Sequence, residues 1–116
     1  MANSKTIIRK IDCGLMPAYG CDGPRRDWLG FDYLMQAETV YLLMSGEPGS
    51  PSARMGLSII DQLAGLTTSL AVVSSVMKAR ETGDGCDIDV YLFDVAAHQL
   101  SYVGVWYLSD GIVTSR

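Results

Sequence analysis

The sequence predicts an α/β fold that is incomplete by itself: about two strands and three helices, completed by dimerisation. Three observations lead there. The periodicities run strand, helix, helix, strand, helix, an α/β order with no repeat and no low-complexity tract. Two strands cannot make a self-sufficient parallel sheet, which needs further strands and helices over both faces. Finally, 116 residues with 48% hydrophobic and only 19% charged residues describe one domain that expects to be covered over much of its surface.

Each element has a local reason. Residues 6–12, TIIRKID, alternate weakly and are rich in Ile, so a short strand is expected. Gly20, Gly23, Pro24 and Gly30 then punctuate a loop. From Asp32 to Met44, Leu34, Met35, Val40 and Leu43 recur at helical spacing, and Asp32 is placed to cap that helix. Residues 45–56, SGEPGSPSARMG, hold three glycines and two prolines and read as a loop. A long helix follows from about Ser58 to Thr82. Its apolar residues lie nearly all round, which predicts burial on most sides. Lys78 and Arg80 in its last turn and Gly83 after it are stop signals. Residues 86–94, CDIDVYLFD, alternate as a strand, and a third helix is expected from Asp94 to roughly Leu108.

Charge and cysteine usage exclude several classes. A net charge of −4 and a pI near 4.7 argue against nucleic acid, which needs a clustered positive face. Arg25 and Arg26 sit beside Asp22 and Asp27, the pattern of a solvated loop. Cys13, Cys21 and Cys86 are odd in number and form no CxxC pair, so neither a disulfide framework nor a zinc site is expected. Reduced thiols point to the cytoplasm. His98, in VAAHQL, reads as a structural imidazole. No signal peptide opens the chain, and the uncharged run from Gln62 to Met77 is shorter than the ~20 residues that span a bilayer, so no membrane partner is expected.

The stretch LSIIDQLAGL (57–66) poses the functional question. Asp61 is the only charged residue between Arg54 and Lys78, inside a run otherwise built for a core. An aspartate at a helix start is a favoured cap. It is also a carboxylate held ionised by free N–H groups and able to form a covalent intermediate. Residue physics leaves both readings open.

Five stretches in register resemble the CaiB/BaiF, or family III, CoA transferases: YGCDGP (19–24), GFDYLMQA (30–37), LLMSGEPGSPSARMGLSIIDQLAG (42–65), KARETGDG (78–85) and IDVYLFDVA (88–96). The resemblance covers roughly residues 15–110. It implies that residues 1–116 form a single partial domain, the central part of a Rossmann-like large domain from a longer, interlocked dimeric enzyme. By its place in SIIDQLAG, Asp61 matches the aspartate that attacks an acyl-CoA carbonyl and passes through an aspartyl-CoA thioester. The same resemblance puts Tyr19, Phe31, Gly46, Met55 and Leu92 on the CoA side of the site, with Glu47 near the thiol end. Phe31 stands where racemase members carry a histidine, so the chain leans toward transfer and away from racemisation.

The family's first βαβ units and its glycine-rich small-domain loop have no counterpart here, so the expectation is a truncated module, weak or inactive alone. CoA or acyl-CoA is its possible ligand, with no permanently bound cofactor and no metal. A homodimer is expected, and a missing partner chain is a further possibility. The competing reading is a non-catalytic module that homodimerises through exposed sheet edges. Two minor features complete the picture. The glycine-rich loops fit neither phosphate-binding template, and Tyr19, Tyr33, Trp106 and Tyr107 read as core or interface aromatics.

Overall fold

A computed structural model of the chain describes residues 13–114. The strand expected at 6–12 lies outside these residues. Strand β1 (Cys13–Leu15) lies parallel to β2 (Asp87–Asp89), with Cys13 opposite Asp87, Gly14 opposite Ile88 and Leu15 opposite Asp89. Five helices accompany them: α1 (Asp32–Glu38), α2 (Tyr41–Met44), α3 (Ile59–Thr82), α4 (Leu92–His98) and α5 (Ser101–Asp110). The architecture is therefore α/β, with a small two-stranded parallel sheet.

Three helices become five because two of the expected helices break. The helix read from Asp32 to Met44 stops at Glu38, and Val40 takes a left-handed conformation (φ 61°) before α2 begins. The C-terminal helix breaks likewise where Ser101 turns to φ 51°. Left-handed backbone cannot continue a right-handed helix.

The strand expected over 86–94 is shorter than its alternation suggests. Beyond Asp89 the backbone N–H groups of Val90, Leu92 and Phe93 donate to the carbonyls of Leu15, Pro17 and Ala18 at 3.0, 3.2 and 2.9 Å. The Pro17 and Ala18 carbonyls serve the orphan donors of a helix start, and the chain coils into α4 at Leu92 instead of extending.

The core is two small clusters. Ala18, Met35, Ile60 and Ala96 form one, and Ala64, Val90 and Val95 the other; Leu92 packs against both. Small residues let the elements approach closely. At Gly30 the approach is absolute: a Cβ there would overlap Ala18 Cβ and come within 3.1 Å of Met35 Cε.

Helix α3 corrects the expectation of all-round burial. Its buried residues are Ile60, Ala64, Ser75 and Ala79, one stripe of mostly small side chains. Leu66, Leu70, Val73 and Met77 stay exposed at 68%, 69%, 57% and 60%. The small face permits close packing under α1, β2 and α4, and the large apolar face has no cover among the described residues. By length and composition, α3 is the one helix among the described residues that is long and apolar enough to cross a membrane. Gly83 ends it in a left-handed conformation (φ 83°), as the sequence predicts.

Candidate active site around the start of the long helix

The first turn of α3 is organised from a distance. Ser58, its N-cap residue, makes no side-chain cap bond. The cap is supplied by Asp32, at the start of α1 and 28 residues upstream. Asp32 Oδ2 accepts from the Ile60 N–H at 2.6 Å and the Asp61 N–H at 3.2 Å. Gln36, one turn along α1, donates from Nε2 to Asp32 Oδ1 at 2.5 Å and to the Leu57 carbonyl at 3.4 Å, while its Oε1 accepts from the Met55 N–H at 2.9 Å. Asp32 and Gln36 are both buried. This Asp-x-x-x-Gln pair lies on one face of α1 and ties the loop before α3, and α3 itself, to that helix.

The arrangement answers the question posed by LSIIDQLAGL. Asp61 is not the cap, because the amides it would serve are already bonded to Asp32. Its own side chain is exposed at the surface. Partial desolvation raises the Asp61 carboxyl above its ordinary value, and the Asp32 carboxylate adds to the rise. The site is thus an exposed, slightly basic carboxylate on a rigid helix start, backed by a buried carboxylate–amide pair.

The other expected site residues divide in two groups. Phe31 and Met55 belong to this neighbourhood. Phe31 immediately precedes Asp32, is half exposed, and stacks on Tyr33 at 5.8 Å with an interplanar angle of 5°. Met55 is partly exposed on the strap that Gln36 holds. Leu92 contributes to both core clusters beneath the site and reads as packing. Tyr19 faces elsewhere: its hydroxyl donates to Glu38 Oε1 at 3.0 Å, and its ring packs against Trp28 and Phe93. Burial and the Glu38 carboxylate raise the Tyr19 hydroxyl above its ordinary value. Arg25 covers Tyr19 and Trp28 and pairs with Glu38 at 2.8 Å, so it is more ordered than a solvated loop arginine. Gly46 sits in the loop after α2 at φ 101°, with no described bond to Asp61.

For the remaining aromatics exposure removes the core alternative and leaves the interface one, and it corrects the reading of His98 as a structural imidazole. Tyr33, Trp106 and Tyr107 are 53%, 45% and 60% exposed, outside the core. His98 is exposed on the last turn of α4, beside a shallow cavity of about 220 Å³ that Thr67, Asp89 and Asp94 also line. No cluster of metal-ligating side chains occurs among the described residues. Sequence reasoning missed the functional placement of Asp32 and Gln36. The available signal was a polar i, i+4 pair inside the otherwise apolar DYLMQA.

Residues 4–116 match the model of a family described as CoA-transferase family III. Similar proteins include a succinate–glutarate CoA-transferase of Agrobacterium fabrum, 29% identical over 80% of this chain and 23% of its own length. An acyl-CoA transferase of Fusarium pseudograminearum is 32% identical over 97% of this chain and 25% of its own. An acetyl-CoA:oxalate CoA-transferase of Acetobacter aceti is 32% identical over 84% and 25%. The chain thus spans about a quarter of the length of these relatives. Among solved structures, a CaiB/BaiF family protein of Brucella suis superposes with a TM-score of 0.91 at 27% identity, over 97% of this chain and 30% of the other. A hypothetical protein of Mycobacterium tuberculosis, 21% identical over 83% and 28%, shares the fold with a TM-score of 0.75.

Proposed function

The chain belongs to CoA-transferase family III, and from that premise we propose that it carries acyl-CoA chemistry through Asp61, as a partial module that is weak or inactive alone. The observation that supports this reading is the exposed Asp61 carboxylate, relieved of capping duty by Asp32 and raised above its ordinary value by partial desolvation and the Asp32 charge.

In the proposed reaction an Asp61 carboxylate oxygen attacks the acyl-CoA carbonyl carbon. The carbon–sulfur bond breaks, CoA leaves as thiolate, and an acyl–aspartyl anhydride remains. The thiolate then attacks the Asp61 carbonyl carbon, releasing the donor acid as its carboxylate and leaving CoA as a thioester on Asp61. An acceptor carboxylate repeats the two steps in reverse order and departs as its CoA ester. No proton, oxidant or metal enters this balance. Phe31, next to Asp32, and Met55, held by Gln36, are the proposed CoA-side residues of this chain, and CoA is a transient substrate.

The contacts that hold the remainder of CoA belong, in this proposal, to segments of the family beyond the quarter of its length that this chain spans, in a cytoplasmic setting. Completion of the Rossmann-like sheet by a second copy is part of the same proposal. One observation favours the second reading, a non-catalytic homodimerising module: the apolar stripe Leu66, Leu70, Val73 and Met77 on α3 is exposed.

The deciding experiment is incubation with acetyl-CoA or succinyl-CoA followed by intact-protein and peptide mass spectrometry. CoA attached to the peptide containing Asp61, absent in Asp61→Asn, is the expected result. Calorimetry with CoA, run on the chain and on Asp61→Ala, tests binding. A folded sample that takes neither adduct nor ligand at millimolar CoA would leave the dimerising module as the function.

A further inference from the structure

We infer that Asp32 is a positioning residue for Asp61: by taking the Ile60 and Asp61 N–H groups with its own carboxylate, it keeps the Asp61 carboxylate off the helix amides and turned outward for reaction. The inference rests on the reading of Asp61 as nucleophile.

A carboxylate in the first turn of a helix ordinarily accepts from the free N–H groups there. Such bonds stabilise the ionised form and lower its basicity, and with it its readiness to attack a carbonyl carbon. Here the two nearest donors are occupied at 2.6 and 3.2 Å by a residue of another helix. Asp61 retains only its backbone amide in that network, and no described bond reaches its side-chain oxygens. Asp32 is itself buried and fixed by Gln36 Nε2, so it cannot swing aside and surrender the amides. The buried negative charge behind Asp61 acts in the same direction, opposing ionisation.

Other charged groups lie further along. Asp89 of β2 and Asp94 and His98 of α4 gather at the cavity beside Thr67, nearly two turns down α3 from Asp61. Asp32 is therefore the charged side chain that α1 sets against the reactive turn, and the one whose removal tests the arrangement.

The test is a carbon-detected NMR titration of the full chain labelled at aspartate carboxyls, comparing the unchanged protein with Asp32→Asn and Asp32→Ala. Asp32→Asn keeps a neutral acceptor for the two amides and removes the charge. Asp32→Ala frees the amides for Asp61. The expected result is a fall in the Asp61 titration midpoint in both variants, larger in Asp32→Ala, with the Ile60 amide shift moving in Asp32→Ala only. Gln36→Leu gives a smaller fall in the same direction. An Asp61 midpoint unchanged in a folded Asp32→Ala would overturn the inference, and where Asp32→Ala does not fold, an unchanged midpoint in Gln36→Leu overturns it instead.

Mass spectrometry of the same samples with acetyl-CoA separates this inference from the reading beneath it. A protein that titrates as stated but never takes CoA at Asp61 ends the nucleophile reading and leaves the positioning intact. A protein that takes CoA equally in all variants, with no change in midpoint, ends the positioning alone. Where both hold, the Asp61 adduct forms about tenfold more slowly or worse in Asp32→Ala.

Discussion

At the scale of single residues, Asp32 and Asp61 are two carboxylates with opposite energetic signs. Asp32 satisfies two amides of α3 and is held by Gln36. Its replacement by alanine removes the buried acceptor of both amides and is expected to lower stability by on the order of 2 kcal/mol, measured by urea unfolding. Asp61 carries a raised pKa, so the folded state binds its proton more tightly than the unfolded chain does. Its contribution is then favourable below the unfolded value near 3.8 and is lost as pH rises through the higher folded value. Asp61→Asn should therefore melt at or above the unchanged protein at neutral pH, and the gap should close on acidification below that value. A variant that melts lower at pH 7 would mean that Asp61 is a structural cap after all. Nothing in LSIIDQLAGL alone distinguishes these outcomes, because the residue that caps the turn lies 28 positions upstream.

At the scale of elements, legibility follows sequence distance. Helix α3 was readable to within a residue at each end, since Arg80 and Gly83 are local signals. The break after α1 was not, because Val40 adopts φ 61° against the preference of a β-branched side chain, and no propensity announces it. Val40→Asn, which tolerates that region, should hold or gain about 1 kcal/mol relative to a strained valine. A clear loss in its urea midpoint would assign Val40 a packing role that outweighs its backbone. Gly30 shows the opposite case. It reads as loop punctuation, yet its missing Cβ lets the 18–20 segment lie against α1 at Ala18 and Met35. Gly30→Ala should cost about 1–3 kcal/mol through overpacking, and because α1 carries Asp32, it should also disturb the amide shifts of Ile60 and Asp61.

At the scale of the whole molecule, the chain is too extended to be finished. Its Cα radius of gyration is 17.5 Å with extents of 57 × 27 × 26 Å, against about 13 Å for a compact domain of ~100 residues. Helix α3 explains most of the difference: 24 residues make a rod roughly 36 Å long, and among the described residues one small-residue stripe of it is packed. The outward stripe Leu66, Leu70, Val73 and Met77 repeats at four, three and four residues, the spacing of a seam that accepts another helix. Side chains of this size each contribute roughly 1.5–3 kcal/mol when fully buried, enough in sum to drive association. The chain is therefore expected to run in solution as a dimer of twice 12.6 kDa, measured by light scattering on a sizing column. Leu66→Glu with Leu70→Glu should return it to monomer without loss of helical circular dichroism, since neither side chain touches the core clusters. If the unchanged chain stays monomeric at high micromolar concentration, self-completion fails, and the exposed stripe is not a seam between two copies.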